Sequence, residues 1–249
     1  MRITHVGGPT ALIEIDGRRL LTDPTFDVPG RRYAFGWGTS SRKVAGPAIA
    51  AADLGRIDAV LLTHDHHDDN LDDAGRALLP AAGTVVTTAA GARRLGGSAR
   101  GLEPWQTTTL DGGLEVMATP CRHGPRFSRP IVGDVVGFAV RGEEQSLWIT
   151  GDTVLYDGVR QVAGRVPVDV ALLHLGGVRF PVTGPVRYTM TAAEAVELCR
   201  LVRPQVAIPI HYEGWSHFRE GREAIEREFA KAPDIALRWL PIGVATEVT

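Results

Sequence analysis

Short apolar stretches separated by turn residues predict a run of β-strands at the start of the chain. The first three strands are predicted at residues 2–6, 10–15 and 18–22. The Asp16-Gly17 pair between the last two is typical of a hairpin turn. After Asp23-Pro24 the regular pattern stops, and residues 24–47 predict a long loop of the kind that usually covers a site. Its aromatic residues, among them Phe35 and Trp37, either contact a substrate or pack locally.

Strands alternate with helices in the pattern of the remaining chain. Strands are predicted at residues 57–63, 84–88, 106–110, 114–119, 135–141, 146–150, 168–173 and 205–210, with a last strand that includes Trp239 and Leu240. Helices are predicted at residues 71–79, before Leu95, and at 191–202 and 216–230. Thr191 and Glu194 have the spacing of a capping box. Because no Pro/Ser-rich linker divides the chain, we predict one domain over residues 1–249.

Composition and charge narrow the class of protein. The chain has 249 residues, a formal net charge of -2 and a pI near 6.4, so no general affinity for nucleic acid is expected. The two cysteines, Cys121 and Cys199, are far apart, which favours a reducing, cytoplasmic location. We expect no signal peptide and no membrane span. Association of the chain with copies of itself is left open.

Residues 61–71 contain the richest group of metal-ligand side chains, with three histidines and three aspartates directly after a predicted strand. Side chains of an extended segment alternate in direction, so His64 and His66 point the same way and Asp68 has the same parity. Two imidazoles on one side form half of a metal site, and a carboxylate beside them could reach a second cation.

Three further ligand candidates each follow a predicted strand. They are His123, Asp152 in the sequence Thr-Gly-Asp-Thr, and His211. Together with residues 63–68 and in this order, they resemble the metal-binding motifs of the metallo-β-lactamase superfamily. Residues 11–17 and 21–24 are similar to the branch that includes L-ascorbate-6-phosphate lactonase.

The resemblance implies both a fold and a set of ligands. The fold is an α+β, four-layer αββα sandwich. His64, His66 and His123 would hold the first metal, Asp152 would bridge two ions, and Asp68 and His211 would hold the second. Two Zn²⁺ ions are expected, with Mn²⁺ or Fe as alternatives.

One residue departs from the family pattern, because Asp69 stands where the last histidine of His-x-His-x-Asp-His is expected. Three explanations compete. Asp69 supplies a carboxylate to the second metal; the second site is weak or empty; or the register shifts by one residue, so that His67 and Asp69 replace His66 and Asp68. The first is favoured, since a carboxylate is a competent ligand for zinc, manganese or iron.

These residues predict a hydrolase that uses a metal-activated hydroxide on a small ester, lactone or phosphodiester. Asp68, Asp152 and His174 are the catalytic candidates, although His174 could equally be structural. Arg122 directly precedes His123, Arg126 and Arg129 follow it, and Arg179 and Tyr188 follow His174. Because arginine recognises carboxylate and phosphate, we predict that Arg126, Arg129, Arg179 and Tyr188 bind a small anionic substrate.

Two other classes of protein remain as alternatives. A single-metal relative, either an iron-dependent oxidoreductase or a binding protein, is favoured by Asp69. A nuclease is disfavoured by the balanced charge and by the lack of an added basic arm.

Overall fold

The computed structural model describes residues 1–248, apart from the side chain of Ile131. Strands within this range are β1 (Arg2–Gly7), β2 (Thr10–Ile15), β3 (Arg18–Thr22), β4 (Arg32–Gly36), β5 (Thr39–Arg42), β6 (Ala59–Leu61), β7 (Val85–Thr88), β8 (Ala99–Leu102), β9 (Thr107–Thr109), β10 (Glu115–Pro120), β11 (Val136–Arg141), β12 (Ser146–Ile149), β13 (Val170–His174), β14 (Val206–Ile210) and β15 (Thr246–Glu247). The α-helices are α1 (Asp73–Leu78), α2 (Ala89–Leu95), α3 (Arg129–Val132), α4 (Asp157–Arg160), α5 (Ala192–Val202) and α6 (Arg222–Phe229).

Two sheets form the centre of the molecule. The first has the strand order β15-β1-β2-β3-β6-β7-β8, and the second has the order β14-β13-β12-β11-β10-β9. Apolar side chains from both sheets, such as Ile13, Leu61, Phe138 and Ile149, form one buried cluster between them. Each strand therefore alternates its side chains between this inner layer and an outer layer of helices.

A separate apolar cluster covers the outer face of each sheet. Residues of α5 and α6, including Leu198 and Phe229, pack with Trp148 on the second sheet. Leu54, Leu79 and neighbouring side chains from the α1 region pack on the first sheet. This arrangement of layers confirms the predicted α+β, four-layer αββα sandwich.

Several elements differ from the sequence prediction. The predicted loop at residues 24–47 contains the hairpin of β4 and β5, which was hard to recognise because β5 (Thr-Ser-Ser-Arg) has no apolar alternation. Strand β8 was not predicted. Helix α6 begins only at Arg222 rather than at residue 216, so the preceding residues form a loop. Trp239 and Leu240 lie outside any strand, and the last strand is β15.

Predictions from local sequence motifs were more reliable where side chains form hydrogen bonds with backbone groups. The Thr191 hydroxyl accepts a hydrogen bond from the Glu194 amide, and the Glu194 carboxylate accepts one from the Thr191 amide, so the predicted capping box is present. No helix among residues 1–248 is both long enough and apolar enough to span a bilayer.

Candidate metal centre

The candidate ligands meet at one edge of the sandwich because of strand direction. Strands β12, β13 and β14 are parallel, and β10 runs the same way because it is antiparallel to β11, which is antiparallel to β12. The loops that follow β10, β12 and β14 therefore leave the second sheet at the same edge. They carry His123, Asp152 and His211 to the loop that follows β6 in the first sheet.

Three buried histidines form a first group: His64, His67 and His123. The His67 Nδ1 atom lies 3.3 Å from His64 Nε2 and 3.2 Å from His123 Nε2. His123 Nδ1 lies 2.8 Å from the Tyr188 carbonyl oxygen, so Nδ1 carries the proton and the Nε2 lone pair faces the group. Three imidazole nitrogens converging in this way suit a cation.

The electrostatics of the first group favour neutral imidazoles. Burial lowers the pKa of His67 to about 3, with a further contribution from the neighbouring His123. Burial, together with His67 and His66, also holds the pKa of His64 well below its usual value. Both side chains are therefore deprotonated at neutral pH, which is the form that binds metal.

A second group contains Asp69, His211 and His217, all buried. The Asp69 Oδ2 atom lies 3.3 Å from His217 Nε2 and 3.6 Å from His211 Nε2. Burial would lower the pKa of His211, but the Asp152 and Asp69 carboxylates outweigh it and raise that pKa to about 10. His211 itself has a φ of 53°, a left-handed conformation that is uncommon for a non-glycine residue and recurs at functional sites.

Asp152 lies between the two groups. Its Oδ1 atom is 2.8 Å from His211 Nδ1, and its negative charge also acts on His64 and His123 of the first group. Gly151 makes this placement possible: it has a φ of 65°, and a side chain there would bring its Cβ 2.7 Å from the Val136 carbonyl oxygen.

The polar atoms of the second group lack hydrogen-bond partners. Among the described residues, Asp69 Oδ1, Asp152 Oδ1 and both ring nitrogens of His211 and of His217 are buried with no hydrogen bond of acceptable geometry. Leaving such atoms unsatisfied costs about 1–3 kcal/mol each. Bound cations would satisfy them, so the residues fit a metal at each group. Imidazole and carboxylate together suit zinc, iron or manganese.

The structure does not bring His66 and Asp68 into either group. Residues 64–71 bend and turn instead of remaining extended, and the amides of Asn70 and Leu71 both donate to the His67 carbonyl oxygen. The alternation that put His66 beside His64 therefore does not apply. The His66 ring contacts the Val132 carbonyl oxygen and packs against Gly133, which has a φ of 70°. The arrangement corresponds to the alternative in which His67 and Asp69 replace His66 and Asp68.

The surroundings of Asp68 and His174 also differ from those of a ligand. Asp68 is half-buried, and burial together with the charges of Asp69 and Asp73 raises its pKa to about 6. His174 is fully buried, and its Nε2 lies 3.2 Å from Asp23 Oδ2. The Asp23 carboxylate also accepts hydrogen bonds from the Thr63 amide and hydroxyl, so this network supports the start of the ligand loop.

A salt bridge fixes the same loop from its other side. The buried Asp65 carboxylate accepts hydrogen bonds from Arg94 Nε at 2.8 Å and from Arg94 Nη2 at 2.5 Å, and the Asp65 carbonyl oxygen accepts one from Arg76. This contact ties the ligand loop to α1 and α2. Bidentate pairs of this kind fix orientation as well as position.

A small cavity of about 90 Å³ opens above the two groups. Its floor is formed by His67, Asp69, His123 and Asp152. Its walls are mostly apolar and aromatic: Phe35, Trp37, Val132, Val178, Phe180 and Tyr188. The hairpin of β4 and β5 thus supplies one wall, as a loop covering a site would.

The predicted substrate-binding residues separate into two sets. Tyr188 lines the cavity, and its carbonyl oxygen bonds to His123. The three arginines do not line it. Arg129 pairs with Asp134, Arg126 stacks on Phe127 at the surface, and Arg179 is exposed.

Sequence reasoning missed His217. It lies in the loop that was predicted to be the first turn of a helix, where a histidine has no expected partner. The available signal was its position six residues after His211, in a Gly- and Trp-containing segment directly after a strand.

Comparisons with known proteins identify the class. The family described as Beta-lactamase superfamily domain matches residues 18–212, which is well over half of the chain. A UPF0173 metal-dependent hydrolase from Methanopyrus kandleri is 30% identical over 92% of this chain and 91% of its own length. The chain therefore belongs to the metallo-β-lactamase superfamily.

Solved structures agree with the fold. An isothiocyanate hydrolase from Delia radicum gut bacteria has a TM-score of 0.84 at 20% identity, covering 100% of this chain and 99% of its own. A possible metal-dependent hydrolase from Veillonella parvula has a TM-score of 0.85 at 17% identity, with the same coverage. The family model and the UPF0173 relative, rather than these structures, confirm the predictions of an enzyme and of a metal-dependent hydrolase. The narrower resemblance to the lactonase branch stays a prediction.

Proposed function

We propose that this enzyme uses two Zn²⁺ ions to hydrolyse a small, neutral substrate that carries an apolar group. The observation that supports this most directly is the juxtaposition of two ligand groups, with Asp152 beside His211, on the floor of an apolar cavity. His64, His67 and His123 would hold one ion, and Asp69, His211 and His217 the other. When bound, two adjacent cations lower the pKa of water and polarise a substrate oxygen or other electron-rich atom.

The protein's own side chains supply orientation and exclusion of water. The aromatic walls leave space for a small substrate and few positions for bulk water, which strengthens electrostatic interactions in the cavity. The Asp152 carboxylate stays ionised. Burial would raise its pKa, but the charges of His211 and His123 outweigh burial and keep the pKa well below its usual value. We assign His174 a positioning role through Asp23, and Asp68 no role in the reaction, since it lies outside both groups and outside the cavity lining.

The lining favours a neutral substrate over the anionic one that the arginines suggested. Arg126, Arg129 and Arg179 lie outside the cavity over the ligand groups, and its walls contain no lysine or arginine among the described residues. Uncharged esters, lactones and isothiocyanates fit such a cavity. The last class is included because one protein of the same fold is an isothiocyanate hydrolase.

The test combines metal content with a substrate panel. Protein loaded with zinc is assayed for kcat/KM on an aryl ester, a lactone, a benzyl isothiocyanate and a phosphodiester, and bound metal per chain is measured on the same preparation. We expect two zinc ions and activity on at least one neutral substrate, unchanged in Arg179→Gln. Activity on the phosphodiester alone would contradict the proposal that the substrate is neutral. One bound iron without any hydrolysis would instead favour an oxidoreductase, for which the Asp69 carboxylate is the supporting feature.

A further inference from the structure

A second, larger cavity lies behind His123. It has a volume of about 310 Å³ and shares only His123 and Val132 with the cavity above the ligand groups. Its lining includes Arg122, Arg126, Arg129, Glu103, Asp134 and Tyr156. It therefore differs in character from the first cavity, because charged side chains replace most of the aromatic wall.

Arg122 is held rigidly at this cavity without an acidic partner. Its amide donates to the Thr153 hydroxyl at 3.0 Å, and its carbonyl oxygen accepts from the Val154 amide at 2.9 Å. Its guanidinium lies over the Tyr156 ring, 4.5 Å from the ring centroid. Its Nε atom is buried, and no partner for it exists among the described residues.

The remaining charges of the cavity do not neutralise Arg122. Arg129 is paired with Asp134, so the charges of these two side chains cancel. Arg126 stacks on Phe127, and within residues 1–248 no carboxylate oxygen lies within 4 Å of the Arg122 or Arg126 guanidinium. Glu103 is the acid that remains in the lining, so the cavity keeps a positive balance.

We propose that this cavity binds a small oxyanion, a phosphate, sulfate or carboxylate group, through Arg122 and Arg126. A guanidinium offers a planar pair of N–H donors that matches two oxygens of such a group. Stacking on Tyr156 fixes the plane of the Arg122 guanidinium in advance, which reduces the entropy lost on binding. The oxyanion would be bound as a second ligand beside the metal centre rather than as the group that is hydrolysed.

The experiment observes the arginine side chains directly. Zinc-loaded protein labelled with ¹⁵N-arginine is titrated with sodium sulfate at constant ionic strength, and the Nε–Hε resonances are followed by NMR. The Arg122 resonance is assigned by its disappearance in Arg122→Gln. We expect it to shift saturably with a Kd of about 1 mM or tighter. No saturable shift of this resonance would overturn the proposal, and sulfate bound only at the metal ions would leave it unmoved.

Matched variants distinguish binding at a specific site from general attraction of sulfate to surface charge. Sulfate binding is also followed by calorimetry, and Arg122→Gln should weaken it at least about 10-fold, with Arg122→Lys intermediate because the charge remains. Arg126→Gln, at an exposed position that cannot disturb folding strongly, should weaken it about fivefold. Arg141→Gln, on the exposed end of β11, should not change it. Equal losses in Arg141→Gln and Arg126→Gln would contradict a specific site.

The same titration shows whether the bound oxyanion affects catalysis at the metal centre. If sulfate raises KM for a neutral substrate in proportion to occupancy of the Arg122 site, the bound oxyanion opposes substrate binding at the neighbouring metal centre. If the Arg122 resonance shifts while KM stays constant, the occupant is an independent ligand. Because binding is read from NMR, failure of the proposed hydrolysis would not affect this test.

Discussion

At the scale of single residues, the two adjacent histidines of the ligand loop should differ sharply. His67→Ala removes the nitrogen that contacts both His64 and His123, whereas His66→Ala removes a ring that contacts the Val132 carbonyl oxygen. We expect His67→Ala to lower zinc affinity at least about 100-fold, since even residues behind the ligands contribute 10–100-fold. His66→Ala should change it less than about 10-fold. Competition with a chelator of known affinity measures both.

A larger loss of zinc affinity in His66→Ala than in His67→Ala would support the extended register instead, in which His66 and Asp68 are the ligands. Both variants remove an imidazole from the same short loop, so each is a control for the other. A structural effect common to the loop would appear in both. Thermal unfolding of the chelator-treated variants checks that neither change unfolds the protein.

The candidate ligands could be predicted as a set, but not the choice between neighbours. His123, Asp152 and His211 were predictable because each follows an apolar strand. His66 lies instead against the Val132 carbonyl oxygen and Gly133, distant contacts that no alternation of side chains indicates. His217 depended on where α6 begins, and helix ends are the least certain part of a sequence prediction.

At the scale of elements, one buried carboxylate joins three segments around the site. Asp72 caps α1 through the Gly75 amide, accepts hydrogen bonds from the amides of Phe26 and Asp27, and pairs with Lys43 at 2.7 Å. Lys43 is 3% exposed and directly follows β5, so the pair anchors the hairpin that forms one cavity wall. This hairpin could not be predicted, because its stability comes from such distant contacts rather than from its own pattern.

Asp72→Ala should destabilise the protein by about 3–5 kcal/mol, because it leaves the Lys43 ammonium buried without a partner. Asp73→Ala is the matched control: Asp73 is 67% exposed, and its pair with Arg31 at the surface should contribute less than about 1 kcal/mol. Denaturant unfolding measures both. The double variant Asp72→Ala with Lys43→Met should lose less than Asp72→Ala alone, since it removes the uncompensated charge. A double variant as unstable as the sum of the two single changes would contradict this account.

At the scale of the whole molecule, the ligand groups join the two sheets. His64, His67 and Asp69 follow a strand of the first sheet, whereas His123, Asp152 and His211 follow strands of the second. The apolar strands indicated a largely β chain with interposed helices, and the sandwich followed only from the family resemblance; which loops meet at its edge is a property of strand direction. A cation at either group would therefore link the two halves of the fold.

Metal removal should for this reason lower stability as well as activity. A ligand that binds only the folded chain at 1,000 times its Kd contributes about 4 kcal/mol. For a protein of this size that corresponds to a thermal midpoint about 8–16 °C higher. We expect zinc added to chelator-treated protein to raise the midpoint by this amount, and calcium, which prefers oxygen ligands, to have little effect. His67→Ala should lose part of the zinc-dependent increase, because His67 belongs to one of the two groups. An equal increase with zinc and calcium would mean that the stabilisation arises from surface carboxylates and not from these histidines.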